Sequence, residues 1–200
     1  MKTLPSALTP FVRSDAVGAI LAETFLHPGR ELSISEVARR AGVLPAVAHR
    51  EIGRLVEAGV LTDRRDGNNR LVTVNQHHPL FAPMDEIIQA TYGPVPVLRE
   101  LLRGVAGIRE AFVYGSWAAR RSGEPGAFPG DIDVMLVGDV DVDTVVEVEQ
   151  AARERLGMVV NVHRTTVDAW DRRGGNPFLE TVASRPMIGI ELREDAGAGG

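Results

Sequence analysis

Two aspartates and a glycine–serine pair are the residues whose types and spacing are best suited to chemistry in this sequence. Asp131 and Asp133 are separated by a single residue, and fourteen residues lie between them and the earlier pair, Gly115 and Ser116. Side chains two positions apart on a β-strand share one face, about 6.6 Å apart along the chain, so two carboxylates so placed can bind one hard cation. A strand that ends in glycine at a helix start offers backbone N–H groups to phosphate, and a serine hydroxyl adds a donor. These residues predict a site for a polyphosphate and its magnesium ion.

The elements that must position these residues are predicted from apolar periodicity and turn signals. After residue 95 the pattern predicts helices over 96–103, 143–156 and 176–183 and strands over 108–114, 131–137, 158–163 and 186–190. The first of these strands leads directly into Gly115, and the second carries both aspartates. Strands alternating with helices indicate an α/β sheet with flanking helices.

This arrangement resembles the GS…DxD signature of the polymerase-beta-type nucleotidyltransferase superfamily, especially its minimal members, over about residues 95–190. The resemblance implies that the glycine–serine pair holds nucleotide phosphates and that the two aspartates are catalytic carboxylates that bind magnesium. In that superfamily a third acid, on a neighbouring strand, completes the metal site and activates the acceptor. This sequence has Asn161 where the third acid is expected, and the segment between its two motifs is long for the minimal form.

The neutral side chain of Asn161 changes what such a site is expected to do. A two-metal phosphoryl-transfer site needs enough negative charge to hold both cations, and an amide supplies an oxygen without charge. The nucleotide-side metal is already neutralised by phosphates and can still bind Asp131, Asp133 and Asn161. We therefore expect a nucleoside triphosphate to bind with Mg²⁺ or Mn²⁺, with weak or absent nucleotide transfer.

The N-terminal half has the pattern of three helices followed by a β-hairpin. The first helix is predicted over 14–27 and the second over 33–42, where a Ser-x-x-Glu capping box marks its start. The third is predicted over 45–58, with apolar residues on one face and basic residues on the other. Two extended segments then surround a turn at 66–69, where Asp-Gly favours a tight hairpin.

Three helices and a hairpin in this order are the plan of a winged helix-turn-helix. Residues 33–74 resemble the winged DNA-binding domain of bacterial and archaeal transcription regulators. The third helix would then lie in the major groove, and the wing would contact phosphate or the minor groove. The residues predicted to contact DNA lie on the outer face of that helix and around the wing: Ala46, His49, Arg50, Arg54, Arg64, Arg65, Asn68 and Arg70. A winged domain used for protein contacts is the alternative.

Composition bounds the class of protein. The chain of 200 residues is 44% hydrophobic with a net charge of −5, which predicts a folded protein with one ordinary core or two small ones. It has no cysteine, which excludes disulfide scaffolds, thiolate zinc fingers and cysteine nucleophiles. Because the sequence has neither an apolar run of about 20 residues nor the apolar core of a secretory signal, we expect a cytoplasmic protein without a membrane partner.

The two halves of the chain differ in the sign of their charge. Residues 1–80 carry 10 basic and 8 acidic side chains, whereas residues 81–200 carry 12 basic and 19 acidic ones. This difference predicts two domains with different partners. The predicted domains are a winged helix-turn-helix over 1–78, a linker helix over 79–94, a nucleotidyltransferase-like domain over 95–192 and a disordered tail over 193–200.

The sequence as a whole predicts a two-domain protein that combines α+β and α/β architecture, with a small mixed sheet in its second domain, and that regulates transcription. Its expected partners are double-stranded DNA, a nucleotide and a second copy of the chain, with the linker helix as the dimer element. Because one winged domain exposes few base-reading side chains, we expect a dimer on inverted half-sites about one helical turn apart. The alternatives are an active nucleotidyltransferase acting on a protein or small acceptor, and an antitoxin that binds a toxin and represses its operon.

Overall fold

Residues 14–192 are the part of the chain that the computed structural model describes. The chain divides into two units, the first ending at Gly93 and the second beginning at Pro94. Within the described residues, no helix is both long and apolar enough to cross a membrane. The tail predicted over 193–200 lies outside the described residues.

The first unit contains four helices and a three-stranded antiparallel sheet in its described part. In chain order the elements are α1 (Asp15–Phe25), β1 (Leu32–Ser33), α2 (Ile34–Arg40), α3 (Pro45–Glu57), β2 (Leu61–Asp66), β3 (Asn69–Val74) and α4 (Phe81–Tyr92). The strands lie in the order β1-β3-β2. The three predicted helices and the predicted hairpin are confirmed, whereas the short strand β1 was not predicted.

Local capping explains where these elements begin. The Ser14 hydroxyl accepts a hydrogen bond from the Val17 backbone at the start of α1, and the Ser33 hydroxyl accepts one from the Glu36 N–H, at 3.2 Å, at the start of α2. Only this half of the predicted capping box forms, because the Glu36 carboxylate binds the Arg40 guanidinium instead. In the β2–β3 turn, Gly67 has φ of +57°, a conformation that glycine adopts without a steric cost.

Helix α4, treated as a linker in the sequence analysis, packs into the core of the first unit. Ile88 is buried in the same apolar cluster as residues of α1, α2 and α3. The Phe81 ring stacks on Phe25 of α1, with centroids 5.6 Å apart. A Cβ atom at Gly18 would collide with the Tyr92 hydroxyl, so the glycine leaves room for the Tyr92 side chain against α1. Helix α4 is therefore an integral part of the N-terminal unit and not a separate linker.

Over its described residues, 94–192, the second unit is a four-stranded mixed sheet with flanking helices. Its elements are α5 (Pro94–Leu102), β4 (Ile108–Tyr114), α6 (Gly115–Arg121), β5 (Asp131–Gly138), α7 (Val142–Leu156), β6 (Val159–Thr165), α8 (Val167–Asp171), α9 (Pro177–Ala183) and β7 (Ile188–Gly189). The strands lie in the order β6-β5-β4-β7. Strand β4 is antiparallel to both of its neighbours, and β5 is parallel to β6. The predicted strands and helices are confirmed, and α8 is an additional element that was not predicted.

Strand alternation assigns the side chains of this sheet to two different cores. Ile132 and Val134 belong to the larger cluster, which includes residues of α5 and α7. Met135 lies on the opposite face, in a cluster with residues of α8 and α9. Because alternate residues share a face, Asp131 and Asp133 lie on the same face as Met135. Met135 is buried whereas both aspartates are only half-buried, so the covering helices leave this end of the face open to solvent.

Candidate functional site

Helix α3 presents a polar, basic face to solvent opposite its apolar stripe. Ala48 and Ile52 are fully buried in the N-terminal core. The outer face carries four of the eight predicted DNA contacts, and its exposed members are Ala46, His49, Arg50, Arg54 and Glu57. The period of the α-helix places these residues on one side, where they can enter a groove together.

Glu51, which was not predicted as part of this site, lies at the edge of this face. Its side chain is only 6% exposed, and its carboxylate accepts hydrogen bonds from Arg50 Nε at 2.9 Å and Arg54 Nη1 at 3.2 Å. The Arg54 spacing of three residues was a signal in the sequence, because side chains three apart on a helix are neighbours. Two of the arginines predicted to contact DNA are therefore held by the same buried acid.

The wing, defined as strands β2 and β3 with their connecting turn, is anchored in the core by Leu61, Val72 and Val74, and its distal part is exposed to solvent. All residues from 62 to 69 are exposed, including Arg64, Arg65 and Asn68. The Arg64 guanidinium binds both carboxylate oxygens of Glu31, at 2.7 and 2.5 Å, and this contact lowers the pKa of Glu31 and raises that of Arg64. Such exposed pairs add little to stability but fix the side chains in space.

The other wing arginines differ in their partners. Arg70 Nε donates to Asp63 Oδ2 at 2.6 Å. Arg65 makes no ion pair with any residue that the structure describes. Among the predicted DNA contacts, Arg65 is therefore the arginine whose charge is not already neutralised by a neighbouring acid.

The second candidate site lies where strands β5 and β6 begin. The register pairs Asp133 with Asn161 across the two strands. The Asn161 amide Nδ2 donates to Asp133 Oδ1 at 3.1 Å and to Asp131 Oδ2 at 3.3 Å. One neutral amide thus bridges the two carboxylates that the sequence analysis placed at a metal site.

The turn from β4 into α6 adjoins these carboxylates. Gly115 has φ of +74°, and a Cβ atom at this position would lie 2.5 Å from Asp133 Oδ2. Ser116 follows in the first turn of α6 with an exposed side chain, whereas Trp117 is buried in the core. The fold brings the glycine–serine turn, the two aspartates and Asn161 to one place, although they are far apart in sequence.

The oxygen atoms gathered here suit one magnesium ion bound together with phosphate. Mg²⁺ is usually held by one or two carboxylates plus substrate oxygens, and Asp131 and Asp133 are the two carboxylates at this position that could do so. Within residues 14–192 no group of three or more His, Cys, Asp or Glu side chains can hold a metal. Glu149 is not part of such a group among the described residues, and its Oε1 accepts a hydrogen bond from the Val162 N–H, at 2.7 Å.

Aromatic side chains next to the carboxylates were not predicted as part of the site. Tyr114 lies opposite Asp133 in the sheet, and its hydroxyl contacts His163 Nδ1 at 2.9 Å. The exposed Phe178 ring packs against both, with centroids 6.2 Å from Tyr114 and 5.5 Å from His163. Burial, and secondarily the charge of Asp133, raises the pKa of Tyr114 to about 12, so its phenol is neutral at physiological pH. The sequence did contain one signal for His163. It follows Asn161 by two residues on the same strand, so the two side chains are expected on one face of the sheet.

No protein-family model and no curated protein matches this chain. Among solved structures, it is similar to the crystal structure of the transcriptional regulator BldR from Sulfolobus solfataricus. The two chains are 17% identical with a TM-score of 0.36, over 50% of this chain and 68% of BldR. A likeness of this extent supports no statement about what the chain does.

Proposed function

We propose that the chain is a transcription regulator that binds double-stranded DNA through α3 and the wing. The observation that carries the proposal is the exposure of the wing from residue 62 to residue 69 beside a helix with a basic outer face. The distal part of this hairpin lies outside the core, and arginine and asparagine side chains near its tip suit phosphate or minor-groove contacts. A helix exposed along one polar face suits the major groove.

Helix α3 and the wing would make different kinds of contact with DNA. His49, Arg50 and Arg54 on α3 would read base edges, because arginine forms paired hydrogen bonds with guanine in the major groove. The wing arginines would contact phosphates, which positions the protein without reading sequence. This division gives the two sets of residues different expected effects on binding.

We expect Arg65→Ala to weaken DNA binding more than Arg64→Ala does. Arg65 is unpaired among the described residues, so its contact with a phosphate would release a counterion, whereas Arg64 must first give up its contact with Glu31. Loss of one phosphate contact lowers the slope of log K against log salt by about one unit. Fluorescence anisotropy across a salt series measures this slope for the parent and both variants.

A matched control for this experiment is Arg103→Ala, which removes one exposed arginine from the other unit. The slope should stay at the parent value in this variant. Equal slopes for the parent protein and Arg65→Ala would show that Arg65 does not contact phosphate.

We further propose that the protein binds DNA as a homodimer through the outer face of α4. Four apolar residues at and after its N-terminus are exposed at spacings of three, four and three: Leu80, Pro83, Ile87 and Ala90. This spacing is that of a two-helix coiled-coil seam. The opposite face of the same helix packs into the N-terminal core through Ile88. A second copy of the chain, related by a two-fold axis, would cover the stripe and place two α3 helices for inverted half-sites.

A second candidate function, binding of a nucleoside triphosphate with Mg²⁺, is favoured by the convergence of Gly115, Asp131, Asp133 and Asn161. We propose that the aspartates hold the metal and that the turn at Gly115 and Ser116 faces the phosphates. The metal would neutralise the phosphate charge and orient the polyphosphate. Since Asn161 adds no charge, transfer is proposed to be weak or absent.

Titration calorimetry with ATP tests this second function. We expect binding in Mg²⁺, none in EDTA, and at least a tenfold loss of affinity in Asp133→Ala, because a charged metal ligand is removed. The control is Asp139→Ala, which removes an exposed carboxylate that follows the other end of β5. Equal affinities for the parent and Asp133→Ala would show that the two aspartates do not form a metal site.

A further inference from the structure

We propose that Glu51 is a positioning residue that determines the DNA sequence specificity of α3, an inference that rests on the DNA-binding function proposed above. It occupies no base-contacting position itself. It acts through Arg50 and Arg54, the two arginines on the outer face of the same helix.

The contacts of Glu51 support this role. Its carboxylate is nearly buried, with 6% of the side chain exposed, whereas Arg50 and Arg54 are 60% and 52% exposed. Glu51 Oε1 accepts from Arg50 Nε at 2.9 Å, and both of its oxygens accept from Arg54 Nη1, at 3.2 and 3.3 Å. One buried anion therefore connects two exposed guanidinium groups on the surface proposed to face DNA.

Burial of a carboxylate is costly unless it is paired, so Glu51 is held to its arginines more firmly than an exposed acid would be. Arginine has five N–H donors in a rigid plane. Arg50 uses Nε for Glu51, and Arg54 uses Nη1, so the remaining donors of each guanidinium can still contact a base. The arrangement fixes where those donors point before DNA arrives.

Two consequences follow for recognition. Arginines already oriented lose less side-chain entropy when they bind the matching bases, which favours the correct site. Arginines already paired with an acid gain less from contact with any phosphate, which disfavours DNA of unrelated sequence. Glu51 would thus raise the ratio of specific to non-specific affinity from both sides.

The experiment compares duplexes in two classes, an operator obtained by selection from random oligonucleotides with the parent protein and a scrambled duplex of equal length. In Glu51→Gln we expect the ratio of the two affinities to fall roughly tenfold, the scale of one well-formed arginine–base contact. We also expect tighter binding to the scrambled duplex and a steeper dependence on salt, because the arginine charges are no longer offset.

Two further variants separate geometry from charge. Glu147→Gln removes the same charge from an exposed position of the second unit that makes no ion pair with described residues, so it should change both affinities alike and preserve the ratio. Glu51→Asp keeps the charge but shortens the side chain, so it should lower the ratio without a change in net charge. Thermal melting of each variant verifies that the fold is retained, and Glu51→Asp decides the question if Glu51→Gln does not fold.

The possible outcomes distinguish this inference from the proposed function. An unchanged affinity ratio in the folded Glu51 variants, or an equal fall in Glu147→Gln, overturns the role of Glu51 and leaves DNA binding standing. If selection with the parent protein enriches no sequence at all, both the specificity role and the sequence-specific regulator fail together.

Discussion

Replacing Asn161 with aspartate is expected to make the stability of the protein depend on magnesium. The substitution removes the amide that donates to Asp131 and Asp133 and adds a third carboxylate beside them. Each lost hydrogen bond to a charged group costs about 1.5–3 kcal/mol, before the added repulsion. In a domain of this size such a loss lowers Tm by roughly 10 °C or more. In EDTA we therefore expect a clear fall in Tm, most of which millimolar Mg²⁺ restores.

Asn161→Leu is the matched control for this prediction. It removes the same amide without adding a third carboxylate, so its Tm should fall in EDTA and recover much less in Mg²⁺ than that of the aspartate variant. The aspartate variant should also raise any transfer of labelled nucleotide from ATP by powers of ten if a catalytic metal is regained. An aspartate variant that melts at the same temperature in EDTA and in Mg²⁺ would contradict a metal site at these residues.

Replacing Ile87 with glutamate is expected to convert the proposed dimer to a monomer and to weaken operator binding by about 100-fold or more. Ile87 lies at the centre of the exposed stripe on α4 and is 49% exposed, so a charge there disturbs the proposed seam rather than the core. Two linked half-site contacts bind far more tightly than one, because the second contact is intramolecular. Sedimentation velocity measures the mass, and anisotropy measures the affinity for the operator and for a single half-site.

The control is Ala82→Glu, which adds the same charge to α4 at an exposed position away from the stripe. It should leave both the mass and the operator affinity at the parent values. The half-site affinity should be similar in all three proteins, since the α3 surface is unchanged. A parent protein that sediments as a monomer at all concentrations would refute α4 as a dimer element.

Most elements of this fold could be predicted because their signals are local. Ser14 and Ser33 mark helix starts through hydrogen bonds within a single turn. Gly67 predicts the wing turn because glycine readily adopts the positive φ that a tight hairpin turn needs, and it has that conformation here. Apolar periodicity located β4 and β5 within one residue of their ends. Strand β1 could not be predicted, because two residues are too few to show an apolar alternation. It forms only by pairing with β3, about 40 positions away in the chain.

The candidate carboxylate site was foreseen from residue types, but its internal chemistry was not. The alternation of β5 is enough to place Asp131 and Asp133 on one face. That the Asn161 amide bridges them depends on the parallel register of β5 with β6. Tyr114 reaches His163 over a separation of 49 residues, which no local pattern encodes.

Local sequence is enough to predict the helices, the hairpin, the strand alternation and the residue types available at both candidate sites, because each depends on neighbours a few positions away. Tertiary contacts, in contrast, set which charges are already neutralised. Glu31 binds Arg64 across 33 residues, and Glu51 is buried beside Arg54 although an exposed glutamate would fit the same helical spacing. Burial and ion pairing are properties of the packed chain, since they depend on which distant segments exclude water from a given side chain.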